Sequence, residues 1–190
     1  MDLIDLKIEE LYSKDHDECL DAIKRIKNNV IGNDRLKGAV LDLGVADRLV
    51  ELMKLKNGDV AREAMIVVAS LARGTENHIR MLIDANAVST LITNTQSDIE
   101  RFVEPAFRCL RTIYLSKLAP IDLIFSNNAF GSRNSMTVLN HFIALAMDVR
   151  TLFVIKECIL TILGECCRVN HFLTLLRFNT CSNNFFFFFF

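Results

Sequence analysis

The chain has 190 residues and a formal net charge of −1, with 22 Lys and Arg interleaved among 23 Asp and Glu. No broad basic field is available, which argues against nonspecific binding to nucleic acid. The start, Met1-Asp2-Leu3-Ile4-Asp5-Leu6, has acids where a secretory signal needs basic residues, and no run reaches the roughly eighteen apolar residues of a membrane helix.

These features lead us to expect a soluble, intracellular protein with no membrane partner. Residues 1–15 read as an N-terminal extension, and a helical pattern begins at 16. Cys19, Ala22, Ile23, Ile26 and Val30 are spaced three and four apart and define one apolar helix face. Two shorter apolar runs follow, Leu36 to Leu43 and Val45 to Leu55, with Gly44 between them. A glycine there can take positive φ, ending one helix as the next begins. A long helix then spans about 59 to 73, with Asp59 expected as its N-cap.

The pattern then repeats. Ile31-Gly32 returns as Arg73-Gly74, and Gly44 returns as Asn86, the next most tolerant residue for positive φ, in both cases 42 residues on. Val60, Ala64, Val67, Val68 and Leu71 return at the same offset as Phe102, Ala106, Cys109, Leu110 and Ile113. Ser97 with Glu100 three residues later matches a capping box for the third long helix. Pro105 would then lie inside that helix, so either the helix kinks or its regular part begins near Glu104.

A fourth copy appears as Ile155, Ile159, Ile162, Leu163 and Cys166, 95 residues after Val60 through Leu71. This spacing requires an insert of about eleven residues, expected as a surface loop within 116–135, where Pro120, Asn127-Asn128 and Gly131-Ser132 cluster. The repeats are expected to span 16–178. With Ile159 and Leu163 as its last apolar face, the isolated chain is expected to be prone to aggregation. Residues 179–190, ending in six phenylalanines from Phe185 to Phe190, read as a disordered or artefactual tail, as a thymine tract read in frame would encode.

A period near 42 built from helices belongs to the armadillo and HEAT class. The fold class is therefore all-α, a right-handed solenoid of about four three-helix repeats. Its units cannot bury their own apolar faces and must stack, which makes a binding scaffold and not an enzyme the expected function. No GxxxxGK[ST] or GxGxxG motif occurs, and the seven glycines are dispersed. His16, His78, His141 and His171 form no recognisable triad and read as surface or helix-end residues. Cys158, Cys166, Cys167 and His171 are the one cluster that suggests zinc or an unfamiliar enzyme site. Adjacent cysteines on a helix point about 100° apart and no CxxC is present, so free buried thiols, as at Cys19 and Cys109, are expected, with no metal or cofactor.

Several segments resemble a known family: Lys27-Asn28-Asn29-Val30-Ile31-Gly32-Asn33, Ser70-Leu71-Ala72-Arg73-Gly74-Thr75-Glu76-Asn77, Arg108-Cys109-Leu110-Arg111-Thr112-Ile113-Tyr114 and Ile162-Leu163-Gly164-Glu165-Cys166-Cys167-Arg168. They are similar to the amino-terminal repeats of the armadillo repeat-containing protein 8 family, the armadillo subunit of the CTLH ubiquitin ligase complex, called GID in yeast. The resemblance covers about 16 to 168. It implies a noncatalytic cytoplasmic and nuclear scaffold for protein degradation, whose partners are the CTLH core scaffold subunits and, in a full-length solenoid, the substrate receptor. The alternative is another armadillo adaptor, binding an extended peptide or partner helix in transport or adhesion.

Stacked third helices line the concave face of such a solenoid, so their outward residues are the candidate partner surface. Importin-type members present a Trp and an Asn four residues apart on each third helix. The same register holds Lys24 and Asn28, Ile66 and Ser70, Arg108 and Thr112, and Thr161 and Glu165, with no Trp in the chain. An Asn ladder for nuclear-localisation peptides is therefore disfavoured. Arg101, Arg108 and Arg111 share a face that could receive an acidic helix or tail, or could be a solvated face paired with acids such as Glu104.

Overall fold

A computed structural model describes residues 6–125 and 137–168, and every regular element among them is helical. After a 3-10 turn at Ile8–Tyr12 come α1 (His16–Val30), α2 (Asp34–Asp42), α3 (Val45–Met53), α4 (Gly58–Ala72) and α5 (Glu76–Asp84). They are followed by α6 (Ala87–Asn94), α7 (Glu100–Tyr114), α8 (Asp122–Phe125), α9 (Val138–Met147) and α10 (Phe153–Arg168). The long helices α1, α4, α7 and α10 pack side by side in chain order. Between them lie pairs of shorter helices, which gives the all-α armadillo solenoid.

The starts of α1, α4 and α7, at His16, Gly58 and Glu100, are 42 residues apart, and α10 begins 53 after α7. The helices α5 and α6 are joined by Ala85-Asn86, whereas α8 and α9 are separated by 126–137. Part of the range read as a surface loop is therefore helical, since Asp122–Phe125 form one turn with Ile124 buried. The expectations for 1–5, 126–136 and 169–190, including His171 and the phenylalanine run, lie outside the described residues.

Local chemistry sets the helix boundaries. Gly44 and Asn86 both adopt the left-handed conformation expected of them, at φ 74° and 63°. Asn57, not Asp59, caps α4: its side-chain oxygen accepts from the N–H groups of Asp59 and Val60. Asparagine reaches these donors from two residues before Asp59, which admits Gly58 to the helix and leaves Asp59 as an acid beside the positive end of the dipole. The capping box expected at Ser97 is absent, because the Ser97 hydroxyl instead accepts the N–H of Ile99, which is the N-cap of α7. Helix α7 runs unbroken from Glu100, not from Glu104, with Pro105 inside it. Proline cannot donate to the Arg101 carbonyl, and Arg101 is exposed, so water can take that bond.

The repeating apolar stripe forms the core. Val60, Ala64, Val67, Val68 and Leu71, their equivalents on α7, and Ile155, Ile159, Ile162 and Cys166 on α10 are buried, as are Cys19, Cys109 and Cys158. Each large side chain of this kind contributes about 2 kcal/mol. Polar bonds join successive units: Lys27 to Glu63 at 2.6 Å, Arg101 to Asp59 at 3.2 Å and Arg111 to Glu157 at 3.4 Å between long helices. Asn94 donates to the Met53 carbonyl at 3.1 Å, and His141 Nε2 lies 3.2 Å from the Thr95 carbonyl.

One position on each long helix reaches the shorter helices of the following unit. Met65 is fully buried and touches Asn94 on α6, and Phe107 is fully buried with its ring edge-on to Phe142 on α9, 5.0 Å between centroids. Leu160 occupies the same position on α10 and is 53% exposed, because no further short helix follows it among the described residues. The bare end face is thus centred on Leu160 and Phe153, not on Ile159, which is fully buried against the preceding unit. Leu160→Lys should change folding stability by less than about 1 kcal/mol while reducing self-association, read by light scattering across a concentration series.

Of the histidines expected at the surface or at helix ends, His78 and His141 both lie in the first turn of a helix and are largely withdrawn from solvent. His78 is only 6% exposed and closes a capping box at the start of α5, with Nδ1 accepting the Thr75 N–H. His141 is half-buried, and burial lowers its pKa below the usual 6.5, opposed by its bond to the Thr95 carbonyl. The folded chain therefore holds this proton more weakly than the unfolded chain does. His141 contributes stability in full above about 6.5, and that contribution is lost as pH falls through this value toward the lower folded pKa. Chemical denaturation of the native chain and of His141→Gln between pH 7.5 and 5 should give curves whose difference shrinks toward acid.

Candidate partner-binding groove

A groove of about 710 Å³ crosses the long helices diagonally. It runs from Ile31 and Gly32 at the end of α1, across α4 and α7, to Leu145, the corner Arg150-Thr151-Leu152 and Ile155 at the start of α10. The helical repeat explains this lining. On α4 and its C-cap, Arg62, Ile66, Ala69, Ser70 and Arg73 recur at three and four residues, and on α7 Arg101, Glu104, Pro105 and Arg108 do the same, so each helix turns one stripe to the groove. Ile66, Ala69, Val103 and Pro105 supply apolar surface between the charged residues.

The arginines are oriented by carboxylates. Arg62 is 2.8 Å from Glu63, Arg101 is 3.2 Å from Asp59 and Arg108 is 2.8 Å from Glu104. Arg150 grips Asp148 with two guanidinium nitrogens, and this hydrogen bonding holds the Asp148 carboxyl at a pKa of about 2. Lys37, buried at the α1 end, meets Asp34 at 2.7 Å and lowers that carboxyl's pKa. Exposed pairs of this kind contribute little to stability, so their main effect is on side-chain direction.

Of the residues expected on the partner surface, Ile66, Ser70, Arg101 and Arg108 come together in this groove. Lys24 and Asn28 are exposed on α1 but do not line it. Arg111 turns toward α10 to meet Glu157, and its Nε is buried without a partner. Thr112 and Thr161 donate back to the carbonyls of Arg108 and Glu157 on their own helices, and Glu165 pairs with Arg168. The alternative reading of Arg108, paired with Glu104, describes the geometry of that residue. Arg62, Arg73 and Arg150 were not singled out from the sequence. The 42-residue register could have found Arg62, which stands where α7 has Glu104, but no helical register covers Arg150 in its corner.

The thiols among the described residues offer no reactive centre. Cys19, Cys109, Cys158, Cys166 and Cys167 are free, and burial raises their pKa values, that of Cys166 to about 12, far from a thiolate nucleophile near neutrality. Among the described residues no group of three or more His, Cys, Asp and Glu could hold a metal ion, and no helix is long and apolar enough to cross a membrane.

No protein-family model matches the chain. Armadillo repeat-containing protein 8 of Mus musculus is 31% identical over 163 residues, which are 85% of this chain and 23% of that protein. The Danio rerio protein of the same name is 28% identical over 171 residues, 89% of this chain and 24% of that protein. The chain thus spans about a quarter of the length of these curated relatives. Among solved structures, a designed armadillo repeat protein in complex with the peptide (KR)4 superposes with a TM-score of 0.69 at 17% identity, covering 93% of this chain and 74% of that one. An engineered protein gives a TM-score of 0.72 at 21% identity, over 84% and 36% of the two chains. The stacked long helices and the sequence likeness lead to one conclusion: the chain is an armadillo-repeat protein related to armadillo repeat-containing protein 8.

Proposed function

We propose that the chain is a noncatalytic scaffold or adaptor unit of a CTLH-type (GID) ubiquitin ligase complex, working in cytoplasm and nucleus. In this role it links the core scaffold to the receptor that captures proteins for degradation. Support comes from its likeness over 85% of its length to armadillo repeat-containing protein 8, together with a preformed groove that holds charged and apolar side chains. Because the solenoid displays its long helices side by side, contacts can spread over several units.

Affinity purification of the tagged chain, alongside a longer form carrying further repeats, tests this by mass spectrometry. Recovery of the core scaffold subunits by either form is expected, with the receptor recovered by the longer form. Absence of every core subunit from both would sink the assignment.

A further inference from the structure

Among the described residues five arginines converge on the groove: Arg62 from α4 and Arg73 at its C-cap, Arg101 and Arg108 from α7, and Arg150 from the corner between α9 and α10. Among the described residues two acids, Glu100 and Glu104, line it with them. The carboxylates that hold Arg62, Arg101 and Arg150, namely Glu63, Asp59 and Asp148, are not part of the lining. Each guanidinium therefore keeps donors free on the groove side, since five N–H groups are available and one or two are used. Arg73 is exposed and makes no ion pair among the described residues.

The end of the groove at α10 is different. Leu145, Leu152 and Ile155 line it, and Leu152 is half exposed. Next to these residues in sequence, Met147, Val149 and Phe153 are exposed at 75%, 91% and 81%. Contiguous exposed apolar side chains beside a charged cleft mark a protein contact more readily than a solvated face. Among the described residues no Phe, Tyr, Trp or His lines the groove, so these residues offer no platform on which nucleic-acid bases could stack.

We infer that this groove binds an extended acidic segment of a partner protein, with carboxylates on Arg73, Arg101 and Arg108 and an apolar side chain on Leu145 and Leu152. This deepens the reading of the groove as a partner surface and rests on it. Carboxylates match the planar guanidinium fork and can be held by two bonds at once, which a lysine in the same place could not offer. A basic peptide such as (KR)4, the ligand of the designed structural neighbour, would instead meet like charge.

Fluorescence anisotropy on the full chain tests the inference with a labelled (Glu-Asp)4-Leu peptide, its (Lys-Arg)4-Leu counterpart and a Leu-to-Ser version of the acidic peptide. The acidic peptide should bind, weaken about tenfold as salt rises from roughly 50 to 300 mM, and lose about tenfold affinity with Arg73→Glu plus Arg108→Glu. The Ser version should bind about five- to tenfold more weakly. Circular dichroism checks that the double variant folds, and Arg73→Gln, at an exposed unpaired position, provides a second variant with a smaller loss. Equal or tighter binding of the basic peptide, an affinity unmoved by both variants, or equal displacement by an oligo-dT strand of the same charge would overturn it. Co-purification with ligase subunits is a separate readout. Acidic-peptide binding can therefore fail while the scaffold assignment stands, and the reverse is also distinguishable.

Discussion

Replacing Phe107 by alanine should lower the unfolding free energy by about 3–5 kcal/mol, measured as a shift in urea midpoint with little change in slope. The ring is fully buried and meets Phe142 edge-on at 5.0 Å, so truncation removes both area and an aromatic pair, and it opens a void where two units meet. Because each unit of a solenoid is held only by its neighbours, a void there acts on cooperativity as well as on stability. The substitution should let the part containing α9 and α10 open before the rest, which hydrogen exchange would register as early loss of protection in α9. Leu160→Ala, at the equivalent position of α10, should cost less than about 1 kcal/mol because that side chain is half in solvent. Equal costs at the two positions would show that Phe107 does not act as the join between units.

Gly74→Ala should cost about 3 kcal/mol, though it adds one methyl group outside any helix centre. A Cβ at Gly74 would lie 2.1 Å from His78 Nδ1, well inside contact distance. That nitrogen accepts the Thr75 N–H and His78 is buried, so the ring cannot move aside without breaking the cap of α5. On its other side the ring is confined by Gly38, where a Cβ would sit 3.2 Å from Nε2. A double-mutant cycle gives the decisive measurement: in a His78→Ala background the cost of Gly74→Ala should fall below about 1 kcal/mol. An undiminished cost would trace the effect to the backbone and not to the ring.

Gly74 also shows how far the sequence could be read. Gly32 and Gly74 are equivalent in the 42-residue echo, and from sequence alone they look like the same helix stop. Gly32 takes φ 73° with open space around it, whereas Gly74 shows no positive φ and is needed for the room it leaves to His78. The distinction depends on a neighbour four residues away that is buried only after α2, α4 and α5 have packed. Gly44 and Asn86 were legible because positive φ is a local property of the chain. The Ser97 box failed because two local hydrogen bonds compete for the same hydroxyl, and the bond to Ile99 forms instead.

The candidate site was legible only in part. Helical register placed Ile66, Ser70, Arg101 and Arg108 on outward stripes, and they do share a groove. Register says nothing of which stripe a neighbouring helix covers, so Arg111, three residues from Arg108, is drawn off toward Glu157. Lys24 and Asn28 fall outside the groove because it crosses the helices on a slant, entering at the end of α1 and leaving at the start of α10.

The sequence by itself determined the repeat, the helix lengths and the buried stripe, because 3.6-residue periodicity and capping chemistry act within a few residues along the chain. Tertiary structure alone decided which charges face one another, which glycine is needed for space and where apolar surface stays open. Arg150 reaches the groove from a corner between helices, and Leu160 stays half exposed where its equivalents Met65 and Phe107 are buried by the next unit. Both depend on the stacking of units 42 or more residues apart in sequence, where no local pattern can specify the contact.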